Sequence, residues 1–234
     1  MYKRPKMLNR QTDVNVGIDK PRRYHFARFI TNVPIIYEEM LTVAMKYPIL
    51  FMKYETILPV AFFGFGDQNV FIGDDGIWTA GYIPFYIERY PFCMFEDENK
   101  QMVLGIDQDA CRPLSADTER LIDGSGKLTP IAEAGFEFVR RYYVGMPHIQ
   151  EMMAEICNAG VFAERPFRIK HGVTNYTLHG TVVVDEKRLM ALPDAVLARW
   201  ARNGVLQVLH AHVQSLIHSI TIAAASERPR GTLN

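Results

Sequence analysis

The chain is short of the residues and patterns that usually announce a function. Its 234 residues include three cysteines, Cys93, Cys111 and Cys157, with no CxxC pair and no repeating interval. That argues against a disulfide framework and a thiolate zinc site, and for a reducing compartment. An excess of one charge is also missing: 26 Lys and Arg balance 26 Asp and Glu. A neutral chain gives no general electrostatic reason to expect nucleic acid or an anionic membrane as partner. No GxSxG, HExxH, Walker-type or GxGxxG motif occurs, and the nearest fragment, Gly64-Phe65-Gly66, lacks the third glycine. The first ten residues are basic but lack the apolar run of a secretory signal. There is no repeat and no low-complexity segment. The segment Asn203 to Ser226 contains no Asp, Glu, Lys or Arg, yet His210, His212, Gln214 and His218 run through its middle. Each would be costly in hydrocarbon, so the segment does not read as a membrane span. Its Leu206, Leu209, Val213, Leu216, Ile217 and Ile220 follow helical spacing, which predicts an amphipathic helix facing a core or a partner.

What is present is ordinary globular material. Apolar residues make up 48% and charged residues 22%, and the length is enough to bury a sizeable core. Residues 1–30 read as an extended N-terminal arm, and 31–234 as a single domain with a sub-boundary near 107–129. Asn32-Val33-Pro34 reads as a helix start, because proline is tolerated in a first turn. Ile35, Ile36, Met40, Val43 and Ala44 would line its buried face, with Glu38 and Glu39 on the wet side. Strands are expected at Pro48–Met52, Ile57–Phe65, Val70–Ile72, Phe92–Phe95 and Met102–Ile106, separated by Gly- and Asp-rich turns. Tyr82 to Tyr90 reads as a short helix or irregular turn, and Asp107 to Thr129 as a long loop. Thr129-Pro130 opens a helix to Tyr143 that Gly145-Met146-Pro147 breaks, and a second helix ends near Gly160. Phe167–Lys170 and Tyr176–Val184 form a strand pair. Helices follow over Glu186–Leu192, Asp194–Arg202 (closed by Gly204) and the uncharged segment. Strands and helices are grouped rather than alternating, with short connections, so the expectation is an α+β fold: a largely antiparallel sheet with packed helices and a helical C-terminal region.

Candidate chemistry is sparse. Asp107, Asp109 and Asp123 invite a calcium site, but counting from Asp123 the EF-hand glycine falls on Leu128 and the terminal glutamate on Ala134, so solvated turns are expected. His210 and His212 point to different helix faces, and the i+4 position between His210 and His218 is Gln214, a poor ligand. His171 and His179 flank a hairpin and would meet across it, with no carboxylate or Cys spaced to complete a site. Cys93 or Cys111 in apolar runs read as small core residues rather than nucleophiles. No metal and no cofactor is expected.

The densest feature is Tyr82-Ile83-Pro84-Phe85-Tyr86-Ile87-Glu88-Arg89-Tyr90-Pro91-Phe92. Its rings can pack a sheet or floor a groove for a peptide, since aromatics serve both settings. The Glu88-Arg89 pair must reach water or make specific contacts. Trp78, Tyr82, Phe85, Tyr86, Glu88, Arg89, Tyr90 and Phe92 are therefore the candidate partner-binding residues.

Blocks along nearly the whole chain occur in one order: Tyr47-Pro48-Ile49, Pro59-Val60-Ala61 to Gly64, Asn69-Val70-Phe71, Gly76-Ile77-Trp78, and Tyr82-Ile83-Pro84 to Arg89-Tyr90-Pro91-Phe92. Leu121-Ile122-Asp123-Gly124, Gly180 to Glu186, Gly204-Val205-Leu206 and His212–Leu216 continue it. In these blocks and their order the chain resembles the SapC family, named for bacterial surface-array (S-layer) proteins. The resemblance implies a role beside surface layers and their secretion; other members resemble accessory proteins encoded beside flavin-dependent halogenases and cupin-type oxygenases. It carries no catalytic residues. The leading expectation is a non-enzymatic structural protein acting in assembly or export of a surface structure through protein contacts. The partner is a protein or peptide, with room for a homo-oligomer and without nucleic acid or a membrane span. Such a protein is cytoplasmic, reaching the envelope or surface by a non-classical route. The alternative is a cytoplasmic peptide-binding or accessory module for redox tailoring enzymes. A third option is an enzyme built around Asp107, Asp109 and His171 or His179.

Overall fold

A computed structural model of the chain describes residues 1–20 and 22–226. The strands of the N-terminal half are β1 (Pro5–Met7), β2 (Val16–Asp19), β3 (Asn32–Pro34), β4 (Ile49–Lys53), β5 (Ile57–Phe62), β6 (Phe92–Glu96) and β7 (Met102–Asp107). They are followed by β8 (Arg112–Pro113), β9 (Thr118–Arg120), β10 (Phe162–Glu164), β11 (Phe167–His171), β12 (Thr174–Leu178) and β13 (Thr181–Val184). The helices are α1 (Met40–Ala44), α2 (Phe85–Glu88), α3 (Pro130–Asn158), α4 (Glu186–Met190), α5 (Asp194–Asn203), α6 (Val205–Ser215) and α7 (Ser219–Ser226). Every described strand pair is antiparallel, and the fold is α+β as expected. No helix among the described residues is long and apolar enough to cross a membrane.

The chain forms two compact units. Among the described residues, the first comprises Met1–Ala27, Ile72–Trp78 and Phe85–Val144; the second comprises Arg28–Phe71, Thr79–Pro84 and 145–226. Residues 107–129 lie within the first unit.

In the first unit two three-stranded sheets form, ordered β1-β7-β6 and β8-β2-β9. The first residues, expected as an extended arm, are extended and pair with β7: Pro5, Lys6 and Met7 face Asp107, Ile106 and Gly105. The stretch expected as a loop after Asp107 holds β8 and β9, which flank β2. Ile18, Phe92, Leu104, Ile106, Leu121, Ile122, Ala132 and Val139 make one buried cluster. Phe92 lies flat against Gly135 of α3, where an added Cβ would collide with its ring. That contact explains a glycine inside a helix, where it otherwise weakens the element.

The second unit is built on a five-stranded sheet, β10-β13-β4-β5-β3. Asn32-Val33-Pro34 is not a helix start but the edge strand β3. The Ile35 N–H donates to the Pro59 carbonyl and the Thr31 carbonyl accepts from the Phe63 N–H, so Pro34 faces away from the ladder, where its missing N–H breaks nothing. Helix follows only after Ile36, as a 3-10 turn and then α1. Ile35, Ile36, Met40 and Val43 are fully buried as expected. Glu39, expected on the wet side, is buried too. Its carboxylate accepts from the Tyr82 hydroxyl at 2.9 Å and the Ile36 N–H at 3.3 Å, which gives the buried charge the partners it requires.

Where a break was expected at Gly145-Met146-Pro147, α3 runs through. Pro147 removes one backbone bond, the one to the carbonyl of Tyr143. Gly145 is a packing residue rather than a breaker: a Cβ there would sit 2.7 Å from Ile36 Cδ1. At the other end of the chain, α5 closes on Gly204 at φ 86°, a left-handed position that suits glycine and ends the helix as read from the sequence.

The uncharged segment forms α6, a 3-10 turn and α7, but with its faces rotated from the expected phase. Val205, Val208, Leu209, His212, Ser215, Ser219 and Ile222 are buried. Of the six residues assigned to the inner face only Leu209 is buried, and Val213, Ile217 and Ile220 are 48%, 71% and 57% exposed. The cause lies in the sheet. Alternate residues of β4 point their backbone groups toward β13, which pairs only with Phe51 and Met52. Ile49 lies beyond its reach, and α6 stands in for the missing strand. Ser215 Oγ accepts from the Ile49 N–H at 2.8 Å, and His212 Nδ1 lies 2.7 Å from the Ile49 carbonyl. The His212 ring also packs on Phe51 at 4.5 Å between centroids. Two polar side chains are thus drawn inward, and the apolar residues between them turn out.

Candidate binding site

The signature run begins in the second unit and continues into the first. Tyr82 belongs to the second, where its carbonyl accepts the Tyr47 hydroxyl and its own hydroxyl reaches Glu39. From Phe85 on, the run lies in the first unit. Trp78, also there, is buried with its ring edge-on to Tyr24 at 5.9 Å. Phe85 is buried against Phe138, with the Arg141 guanidinium 4.5 Å over its face. Phe92 is the core residue already described. Tyr86, Glu88, Arg89 and Tyr90 are half-buried and carry the local chemistry.

Glu88 and Arg89 do make specific contacts. The Glu88 carboxylate receives Arg22 at 2.8 Å and the Tyr24 hydroxyl at 2.9 Å. Burial, and then the Glu88 charge, push the Tyr24 phenol well above its ordinary pKa, so it remains a donor. Arg89 has no carboxylate partner among the described residues. Its guanidinium sits 4.3 Å from the Tyr86 ring, 4.4 Å from Tyr142 and 5.8 Å from Tyr2, a cage of π faces that stabilises a partly desolvated cation.

Asp107, at the end of β7, organises the other side of the run. It is fully buried and accepts from the backbone of Lys3 and Arg4 at 2.9 Å each, from Asp109 N–H at 3.2 Å and from the Tyr90 hydroxyl at 3.3 Å. Burial alone would raise its pKa, but these donors together hold it below the usual carboxylate value. The Tyr90 phenol is pushed up to about 12, first by burial and then by the Asp107 charge. The Tyr90-Pro91 peptide is cis.

Beside Tyr90 opens a cavity of about 220 Å³ within the first unit. Its charged lining is Asp19, Arg22, Arg23, Asp109 and Arg112, with His25 at the rim. Most of that charge is matched: Arg22 by Glu88, Asp19 by Arg112 at 3.5 Å, and Asp109 by Arg4. Phe26 and Tyr90 supply an aromatic wall, their rings 4.1 Å apart and tilted by 31°.

The remaining sequence candidates fall elsewhere. His171 and His179 do not meet: His171 faces Thr174 at the turn of the β11–β12 hairpin, while His179 follows Leu178 at its open end. Asp123 closes a tight turn, accepting from Ser125 and Lys127, as solvated turn chemistry requires. Burial raises the pKa of all three thiols, to about 11 for Cys93, which disfavours the thiolate a nucleophile needs. No group of three or more His, Cys, Asp or Glu among the described residues is placed to hold a metal.

What the run alone did not point to is the contribution of Tyr2, Phe26, Arg22, Arg23 and Arg112. The consecutive Arg22-Arg23-Tyr24-His25-Phe26, basic and aromatic together, was the available signal inside what read as an arm.

By its fold this is an antiparallel α+β protein, and the signature run from Phe85 on lies in an aromatic and ionic cluster of its first unit. The SapC family model matches residues 8–220, and the chain belongs to the SapC family. No curated protein and no solved structure matches it significantly.

Proposed function

We propose that this SapC-family chain is a non-enzymatic protein that acts in the assembly or export of a bacterial surface structure through protein contacts. It works from the cytoplasm and associates with the envelope by binding a protein there. The observation that carries this reading is the exposed row Val213, Ile217 and Ile220. Their i, i+4, i+7 spacing puts them on one helical face, in a segment without a single charged residue. Single exposed apolar residues are ordinary, whereas a row of them is the kind of surface partners use. Leu41 on α1, which packs against α6, and Met45 just after it are exposed and extend the apolar material of this unit. The partner that fits is a protein presenting an apolar, uncharged contact face. The test is to tag the chromosomal copy, fractionate the cells and identify co-purifying proteins. Recovery with envelope or export components, lost in Ile217→Glu with the fold unchanged, supports the reading. A monomeric protein found only in the soluble fraction, without such partners, counts against it.

A second reading, an accessory module that binds a peptide beside a redox tailoring enzyme, is favoured by the cavity at Tyr90. Here Tyr90→Ala removes partner binding with little change in melting temperature, while Tyr86→Ala tests whether the Arg89 cage shares in it. If both variants simply unfold, the rings serve only the core.

A further inference from the structure

We infer that the cavity beside Tyr90 is a recognition site for a single carboxylate carried on a flat apolar body, with Arg23 as the residue that receives the charge. The inference rests on the second reading above, that this cavity is a binding groove, and it names the chemistry the groove takes.

Most charges that line the cavity are already taken. Arg22 is held by both the carboxylate and the backbone carbonyl of Glu88. Arg112 is held by Asp19 and by the carbonyls of Asp109 and Cys111. Asp109 is held by Arg4. Arg23 lines the same cavity, is exposed, and makes no ion pair or hydrogen bond among the described residues. The site therefore presents one unmatched guanidinium, whose planar fork matches a carboxylate through two parallel N–H donors. A dianion such as phosphate would need a second free cation. His25, also without a hydrogen-bond partner among the described residues, can add an N–H donor. Gly76 lies close against its ring, where an added Cβ would stand 2.6 Å from Nε2.

The rest of the lining selects the body that carries the charge. Ile18, Phe26, Tyr90, Pro91 and Ala110 form the apolar side. The Tyr90 hydroxyl is already bonded to Asp107, so this residue offers its ring rather than its polar tip. At about 220 Å³ the cavity is smaller than the roughly 300–1,000 Å³ of sites for drug-sized ligands. One aromatic or branched side chain with its carboxylate fits that description, and an extended peptide does not. Two sources offer this chemistry: a free aromatic acid, and the C-terminal residue of a peptide.

The experiment titrates the full chain, by calorimetry and by ligand-observed NMR, with N-acetyl-phenylalanine, its amide, a hexapeptide ending in phenylalanine, and inorganic phosphate. The acid is expected to bind at least about tenfold more tightly than the amide, the worth of one charge-assisted hydrogen bond. Arg23→Gln should erase that difference and Arg23→Lys restore part of it, with circular dichroism unchanged because Arg23 is exposed and unpartnered. Tighter binding of the hexapeptide assigns the peptide terminus; equal binding assigns the free acid. Equal binding of acid and amide, or displacement of both by phosphate alone, overturns the carboxylate assignment while leaving the groove standing. If no organic probe binds, both the assignment and the groove reading fall.

Discussion

Asp107 in the first unit and His212 in the second meet the same need with opposite chemistry. Each lies where backbone groups have no strand to pair with. Around Asp107 the orphans are all donors, the N–H groups of Lys3, Arg4 and Asp109, so a buried negative charge satisfies them together. Ile49 presents one donor and one acceptor, and it is closed by a neutral pair, the Ser215 hydroxyl and the His212 ring. The first unit is accordingly rich in internal charge, with Asp13, Glu88 and Arg89 also engaged, and its sheets have only three strands each. The second relies on a wider sheet covered by apolar helices. Narrow sheets leave more backbone to be satisfied by side chains, and donor-rich chain ends call for carboxylates.

The largest expected effect comes from removing the charged solution. Asp107→Ala leaves three buried N–H groups and the Tyr90 hydroxyl without their acceptor, at a cost of about 3 kcal/mol or more. Thermal denaturation measures it, and hydrogen exchange should show the Lys3 and Arg4 amides released first. If those amides stay protected, Asp107 does not anchor the N-terminal strand.

Packing gives the next test, because both units place α3 glycines against large side chains. Gly135→Ala forces the Phe92 ring aside in the first unit, and Gly145→Ala forces Ile36 in the second. Each should cost about 1–3 kcal/mol despite alanine's better helix propensity. A variant more stable than the parent would show that its neighbour can yield, and that its unit is packed more loosely than described.

Acid should separate the units without any mutation. Burial lowers the His212 pKa, only partly opposed by its bond to the Ile49 carbonyl. The unfolded chain therefore binds the proton more readily, and this stability is complete above the ordinary histidine value of about 6.5 and declines as pH falls below it. The Asp107 contribution, from a lowered carboxylate pKa, is complete above about 3.9 and is lost only as pH falls further. Amide protection factors followed from pH 7.5 to 5 should fall around Ile49 while those of the Lys3 and Arg4 amides hold. His212→Gln should flatten that slope; a slope unchanged in the variant assigns it to another group.

The smallest effect on stability belongs to the exposed row. Ile217→Glu should shift stability by no more than about 0.5 kcal/mol, as surface changes do, while removing partner recovery. A large loss of stability would mean that the row is covered within the protein.

Much of the fold was readable where local chemistry and tertiary pairing agree. The β4, β5, β6 and β7 strands and the Gly204 stop needed only alternation, turn residues and a left-handed position. Local signals mislead where a distant partner decides. Asn32-Val33-Pro34 carries a good helix-start signal, but pairing with β5 wins because Pro34 faces outward. The phase of α6 could not be found from hydrophobicity, because without charges the segment has no polar face to orient it. Its inward residues are chosen by one backbone position in β4. The candidate site stands out in the sequence as a dense run, and an adjacent Glu88-Arg89 pair inside it signals a need for water or specific contacts. Their partners, Arg22, Tyr24, Tyr2 and Tyr142, lie too far away in sequence for spacing to reveal them.

The helix that closes Ile49 behaves as a surrogate strand, and its removal would do more than delete a helix. A chain shortened to end at Gly204 would leave an open strand corner on β4, with one donor and one acceptor facing outward beside Phe51. Such a corner is a template for another chain's strand. The shortened protein should therefore be lost to intermolecular sheet growth, detectable by amyloid-sensitive dyes, rather than to simple unfolding. On this view the helices that follow Gly204 guard β4 against self-templated aggregation.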